Sequence, residues 1–187
     1  MTAVPELRSQ RLLLRAWREQ DLDPWAALNG DPGTMHFMGG VLDRVASDAL
    51  AARIRAKFGE QGLALWAVEL PATAPFIGFI GLAAPGFVAR FTPCVEVGWR
   101  LARAHWGRGY ATEGARVVLD FAFDRLGLSE VVSFTAAGNL RSRRVMERLG
   151  MTHAESDDFD HPKLPDGDSL RRHVLYRLRR EQWRSAE

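Results

Sequence analysis

Cysteine is almost absent from this chain. Cys94 is the one thiol in 187 residues, which excludes an internal disulfide and any Cys-based zinc cluster. That usage suits a cytoplasmic protein. Lysine is nearly as scarce: Lys57 and Lys163 are the two lysines among 25 basic residues, against 23 acidic ones, for a formal charge of +2. No dense basic tract of the kind that binds nucleic acid by charge is present. Arg141, Arg143 and Arg144 form a local basic cluster, suited to a phosphate-bearing small ligand rather than a duplex. The segment from Met1 to Arg18 is charged at Glu6, Arg8 and Arg11 and lacks the apolar core of a secretion signal. Leu70 to Ala89 is uncharged over about the length of a membrane span. Pro71, Pro75, Pro85, Gly78, Gly81 and Gly86 break it into turn, strand, turn, so no membrane partner is expected. A homodimer is compatible with this composition, but no pattern in the chain specifies one.

What is present reads as one α/β (α+β) domain over residues 1–187, without internal repeat, low-complexity segment or linker. Arg11 to Trp17 is a short strand candidate. Asp23-Pro24 reads as a helix start running toward Asn29-Gly30. Asp43 to Glu60, apolar at Leu50, Ile54 and Phe58, reads as an amphipathic helix stopped near Gly62. Three strands are expected at Leu63–Leu70, Phe76–Leu82 and Cys94–Leu101. The last alternates, with Val95, Val97, Trp99 and Leu101 on one face and Cys94, Glu96, Gly98 and Arg100 on the other. Tyr110 to Leu126 carries the longest apolar stripe in the chain and ends at Gly127. A strand at Val131–Thr135, a helix at Leu140–Leu149, a polar loop at Asp157–Asp168 and a strand at Leu170–Leu178 complete the pattern.

The chemistry concentrates where a strand runs through a short glycine-containing turn into the long helix. A helix start leaves backbone N–H groups unpaired and presents a positive dipole end, so it is a natural anion site. Gly107 and Gly109 remove side chains where a phosphate must approach the backbone. Arg108 adds charge, and no acidic residue lies between Arg100 and Tyr110. The pattern lacks the Gly-Lys-Ser/Thr of a P-loop and the third glycine of the dinucleotide fingerprint, since Thr112 stands there. On two glycines alone, a simple tight turn explains it as well as a ligand site.

The neighbouring residues add to this. Glu96-Val97-Gly98-Trp99-Arg100-Leu101, followed by His105-Trp106-Gly107-Arg108-Gly109-Tyr110-Ala111-Thr112-Glu113, resembles the central motif of the GNAT acetyltransferase superfamily. Asn139 to Met151 resembles the later motif of the same family. The opening Arg11-Leu12-Leu13-Leu14-Arg15, with Asp21 and Asn29-Gly30-Asp31-Pro32, is similar to the branch of the RimJ/RimL ribosomal-protein N-terminal acetyltransferases. The resemblance implies a mixed, mostly antiparallel sheet of about six or seven strands flanked by helices. It implies acetyl-CoA as cosubstrate, in a V-shaped opening between two central strands. The pantetheine would pair with the backbone from Trp99 through Leu101 to Arg103. The pyrophosphate would lie on the N–H groups of Arg108, Gly109, Tyr110, Ala111 and Thr112, behind Trp106 and Gly107. Trp106 replaces the usual Gln or Arg of that motif.

Transfer of an acetyl group to an amine requires loss of the amine's proton, stabilisation of the carbonyl oxygen and protonation of the leaving thiolate. By the resemblance the oxyanion donor is a main-chain N–H near Leu101. Asn139 is both an N-cap candidate and, by the resemblance, a neighbour of the pantetheine. Ser142 is a first-turn serine that the resemblance puts near the cofactor sulfur. It becomes the acid candidate because Met146 stands where many relatives carry a tyrosine. Glu96, on the face shared with Gly98, is the base candidate, with a solvated strand glutamate or a structural ion pair as the alternatives. Asp157-Asp158-Phe159-Asp160-His161 is the second base candidate and the reason to expect a cationic acceptor. Sequential aspartates on a loop are usually solvated, so no metal is expected. His105 reads as a structural neighbour of the loop, and Trp17, Trp25 and Trp66 as core. The reading is therefore an N-acetyltransferase acting on a primary amine, with a CoA-binding module lacking catalysis as the alternative.

Overall fold

In the computed structural model, which describes residues 4–184, nine strands form one sheet in the order β1-β2-β3-β4-β5-β6-β9-β7, with β8 on β9. The strands are β1 (Leu7–Arg8), β2 (Leu13–Arg15), β3 (Leu65–Leu70), β4 (Ala74–Ala83), β5 (Glu96–Leu101), β6 (Glu130–Ala136), β7 (Thr152–His153), β8 (Phe159–Asp160) and β9 (Arg172–Arg179). The helices are α1 (Leu22–Gly30), α2 (Pro32–Met35), α3 (Arg44–Lys57), α4 (Tyr110–Asp120), α5 (Leu140–Arg148) and α6 (Arg180–Arg184). The mixed, mostly antiparallel sheet flanked by helices is the architecture expected. The strand count is corrected upward from six or seven, because β1, β7 and β8 are two-residue strands. Runs that short carry no alternation of their own and exist by pairing to a neighbour. For the same reason the polar loop at 157–168 is partly strand, Phe159 pairing His173 and Asp160 pairing Arg172. Residues 1–3 and 185–187 of the single-domain span lie outside the described residues.

Local chemistry sets the helix bounds. Asp43 caps α3 by accepting from Ala46 N at 2.8 Å. Asp31 caps α2 through Thr34 N at 2.8 Å and Thr34 Oγ1 at 2.6 Å. The first helix begins at Leu22, earlier than Asp23-Pro24 suggested, because a 3₁₀ turn at Glu19–Asp21 feeds directly into it. The stripe on α4 continues into a widened turn, Phe121–Arg125, in which Leu126 N reaches Phe121 O at 3.1 Å.

Two apolar layers cover the sheet. Ala115, Val118, Leu119 and Ala122 pack on Leu14, Ile77, Ile80 and Val97 on one face. A Cβ on Gly114 would lie 2.4 Å from Ile80 Cδ1, so helix and sheet meet there at glycine distance. On the other face Trp17, Trp25, Leu28, Ile54 and Phe76 pack together beneath α1 and α3. Trp17, Trp25 and Trp66 are core residues, as expected, each donating its indole N–H to a carbonyl, of Leu65, Ser47 and Pro5 respectively. No helix among the described residues is long and apolar enough to cross a membrane.

An ion pair lies inside this packing. Arg15, 1% exposed, makes paired bonds to Asp21 at 2.8 and 2.9 Å and a third to Glu69 Oε2 at 2.7 Å. Asp21 also accepts from Arg18 N at 2.7 Å, tying the turn before α1 to strand β2. Removing one partner of such a group leaves charge stranded in a poor solvent. We expect Asp21→Ala to lower stability by about 3–5 kcal/mol, read as a lower urea midpoint with an unchanged slope.

Candidate active site

The site is built around a break in the sheet. Among the described residues β5 and β6 are the one parallel pair, and they register at a single position, Glu96 with Val132. Val132 N donates to Val95 O at 2.9 Å. Past this point the strands diverge, and no strand among the described residues lies beside the β6-facing edge of β5. α4 and α5 each begin at the rim of that opening.

A cavity of about 680 Å³ follows this edge. Trp99 and Leu101 of β5, Trp106, Gly107 and Gly109 of the turn, and Tyr110, Ala111 and Thr112 of α4 line it. Asn139 and Ser142 line it from α5. Gly107 and Gly109 have φ of +72° and +80°, a region open to glycine and strained for other residues. Gly109 caps α4 without a side-chain hydrogen bond, so the first-turn N–H groups have no capping acceptor. A cradle of this kind suits a pyrophosphate.

Arg103 and Arg108, also predicted for this site, do not line the cavity with their side chains. Arg103 lies against Gly33, whose Cβ would be 2.8 Å from its Nη1, and Arg108 is exposed. Trp106 has two tasks here. Its indole donates to Leu101 O at 2.7 Å, and its ring carries the Arg141 guanidinium at 4.5 Å. The basic cluster thus divides. Arg141 and Arg144 line the cavity, whereas Arg143 turns inward to Tyr176 Oη and Ala137 O. Glu113 anchors the start of α4 to the N-terminal segment, accepting from Ser9 Oγ at 2.7 Å and Arg11 N at 2.8 Å.

A second cavity of about 210 Å³ opens on the opposite side of the break. Met38, Trp99, Arg100 and Ser142 line both spaces, so the two meet there. Glu96 and Gly98 line the smaller one alone, with Met146 as an apolar wall. Glu96 has no hydrogen-bond or ion-pair partner among the described residues, which removes the structural ion-pair reading. Burial pushes its carboxyl from 4.5 up to about 8. Ser142 Oγ accepts from Asn139 Nδ2 at 3.1 Å, which leaves its own O–H free to donate. Asn139 is indeed a cap: its Oδ1 accepts from Ser142 N at 3.3 Å while its Nδ2 also donates to Thr135 Oγ1 at 2.9 Å.

The acidic tract is placed otherwise than its composition suggested. Asp157 is held by Arg177 at 2.7 Å, Asp158 by His153 at 2.7 Å, and Asp160 faces Arg171 and Arg172. None of the three carboxylates lines either cavity. His105 lines the larger cavity with Nδ1 buried and unpartnered, its pKa lowered first by burial and then by Arg108. Cys94 is half-buried, and burial raises its thiol to about 11, which leaves little thiolate at neutral pH. The described residues contain no group of three or more His, Cys, Asp and Glu able to hold a metal. Thr34, His36, Phe37 and Met38 form a further wall of the larger cavity that no sequence motif marks. Its one signal was the Asn29-Gly30-Asp31-Pro32 run that leads into it.

A break between parallel strands, a glycine cradle at a helix start and a capped second helix at its rim find their counterpart among known proteins. The family model described as the Acetyltransferase (GNAT) domain matches residues 11–152. The chain belongs to the GNAT acetyltransferase family. YkkB of Bacillus subtilis is 30% identical over 157 residues, covering 83% of this chain and 90% of that one. The FsC-acetyl coenzyme A-N(2)-transacetylase of Aspergillus fumigatus is 40% identical over 96 residues, covering 49% of this chain and 39% of that protein. A crystal structure of an acetyltransferase from Agrobacterium tumefaciens superposes with a TM-score of 0.75 at 30% identity, over 95% of this chain and 96% of that one. A GNAT-family structure from Bacillus anthracis reaches 0.77 at 21% identity, a likeness of fold. This GNAT protein is accordingly an N-acetyltransferase, a class that uses acetyl-CoA as cosubstrate.

The raised carboxyl has a consequence for stability. Between 4.5 and about 8 the native chain holds a proton on Glu96 that the unfolded chain has released. Stability contributed by this group therefore falls as pH rises through that window. Thermal unfolding across the same window is expected to show this decline in the wild type and a shallower one in Glu96→Gln. Parallel curves would contradict the assignment.

Proposed function

We propose that this chain transfers an acetyl group from acetyl-CoA to a primary amine, by direct attack of the amine within one domain spanning the chain. The observation that carries the reading is the meeting of the two cavities at Trp99 and Ser142, with Glu96 opening into the smaller one. Bound acetyl-CoA supplies an acetyl thioester. The N–H groups from Arg108 to Thr112 would hold its pyrophosphate, with Arg141 and Arg144 nearby. The free edge of β5 from Trp99 toward Arg103 would hold its pantetheine, with Asn139 opposite.

Glu96 is the base in this reading. A carboxyl near 8 is poised to take a proton from an ammonium close to working pH, where an ordinary carboxylate is too weak a base. Ser142, with its hydroxyl proton free, is the acid for the departing thiolate. Met146 cannot donate, and its burial makes it part of the apolar wall. A main-chain N–H near Leu101 would receive the developing oxyanion. The similarity of Arg11–Arg15 and Asn29–Pro32 to the RimJ/RimL branch supports kinship with that branch, which contains peptide and small-molecule acetyltransferases alike. A cytoplasmic location, and action without nucleic acid or membrane, fit the composition.

Thiol release from acetyl-CoA with a panel of primary amines tests this. In wild type, kcat/KM should rise with pH through about 8 as Glu96 ionises. Glu96→Gln should lose that limb and lower kcat about 10²- to 10⁴-fold. Acetyl-CoA binding with no turnover on any amine would instead mark a CoA-binding module. For the cradle, Gly109→Val forces a branched residue to φ +80°. That strain, of about 1–2 kcal/mol, should weaken acetyl-CoA binding roughly 5- to 30-fold by calorimetry.

A further inference from the structure

Arg100 is a part-buried cation without an anion. It lies on the face of β5 shared with Glu96 and Gly98, away from α4, and lines both cavities where they meet. Its Nη1 donates to Asn29 Oδ1 at 2.8 Å, and its Nη2 lies 3.5 Å from Met38 Sδ. The guanidinium stands over the rings of Trp25 and Phe79, at 5.3 and 5.6 Å. Every one of these partners is neutral. Nε is buried with no protein acceptor, and so is Nδ2 of Asn29 beside it. No carboxylate among the described residues forms an ion pair with Arg100. Burial lowers its pKa only to about 10, so it remains charged at neutral pH.

Holding a guanidinium partly away from water, with its Nε buried and unpaired, is unfavourable without a counter-charge, and cation–π contacts offset part of that cost. A position needed only for packing would be filled at lower cost by an apolar side chain. The pyrophosphate cradle at the start of α4 lies on the other side of β5, so the anion Arg100 lacks belongs to the acceptor. The nearby carboxylates Asp157, Asp158 and Asp160 are already engaged by Arg177, His153, Arg171 and Arg172, and contribute no negative field to the cavity.

We propose that the acceptor is a small amino acid-like molecule whose carboxylate is bound by Arg100 while its amine faces Glu96. Resting on the acetyl-transfer reading above, this names the substrate class of the same site. The Cα atoms of Glu96 and Arg100 are four strand residues apart, about 13 Å, and the long side chains of both reach into one space. A cavity of about 210 Å³ is of a size to hold one amino acid. An acceptor of net positive charge, the expectation drawn from the acidic tract, would meet Arg100 in this cavity instead of those aspartates.

The test pairs each amine with a neutral twin: glycine, β-alanine, 4-aminobutanoate and leucine against their carboxamides, plus a tripeptide amide. Thiol release is measured with saturating acetyl-CoA. A lost charge-assisted hydrogen bond corresponds to about a tenfold to hundredfold effect. Wild type should therefore favour the best acid over its amide by about that factor in kcat/KM, mainly through KM. In Arg100→Gln the acid-to-amide ratio should collapse toward one, and Arg100→Lys should retain part of it. Equal use of acids and amides, or preference for the tripeptide amide, overturns the inference and leaves acetyl transfer standing. Conversely, calorimetric binding of the acids to the CoA-saturated protein, lost in Arg100→Gln but without turnover of any amine, supports the carboxylate site while overturning the transfer reading. If Arg100→Gln unfolds, the wild-type acid-to-amide ratio and Arg100→Lys decide the matter.

Discussion

A sheet in which two parallel strands touch at one point governs the rest of this molecule. Parallel neighbours require a crossover connection, here the segment from Ala102 to Ser129 that contains α4. With Glu96 and Val132 as the single register pair, the crossover returns β6 beside β5 without closing the ladder beyond it. Backbone donors and acceptors on that stretch of β5 are then left to something other than a strand of this chain. An extended ligand with amide groups, such as pantetheine, is the natural occupant of a sheet edge. The same divergence carries the starts of α4 and α5 to the rim, where unpaired N–H groups and the Asn139 cap face the opening.

Close packing holds this arrangement in place. α4 approaches β4 at Gly114, where a methyl group would collide with Ile80. Its first turn is tied across to the N-terminal segment by Glu113, Ser9 and Arg11, with Arg11 over the Tyr110 ring at 4.6 Å. The orientation of the helix start is thereby set by contacts on both of its sides. On the opposite face, the Arg15–Asp21–Glu69 network fixes the entry to α1, which carries Asn29 and Trp25 to Arg100.

The parts of this design legible in the sequence are those encoded locally. The alternation in β5, the Gly107 and Gly109 turn and the stripe on α4 lie within about thirty consecutive residues, and periodicity is a local signal. Residues that act through distant partners were not legible. Thr152 and Phe159 pair with β9 because the chain returns there, and nothing within two residues announces it. The aspartates of 157–160 look like a free acidic patch until β9 supplies their arginines. Alternation placed Arg100 on the face of Glu96, but its lack of a carboxylate is a fact about α1, α2 and β4 together. Met38, shared by both cavities, lies outside any motif the sequence offered.

Burial acts on the two ionisable groups of the smaller cavity with opposite consequences. It moves Glu96 to about 8, so that the carboxyl is largely neutral at pH 7. It moves Arg100 only to about 10, so that the cation persists. Before an acceptor enters, the cavity is therefore positive rather than negative, although it contains one acid and one base. A bare ammonium is disfavoured in such a space, and a carboxylate is favoured. An amine that brings its own carboxylate neutralises Arg100 on entry. The ammonium proton passes to Glu96 once that carboxyl has itself ionised, a fraction that grows as pH rises toward 8, and the ionised carboxylate then pairs the ammonium while Arg100 pairs the carboxylate. The geometry that raises the base and the geometry that selects the substrate are in this way one arrangement, set by the single strand that carries both residues.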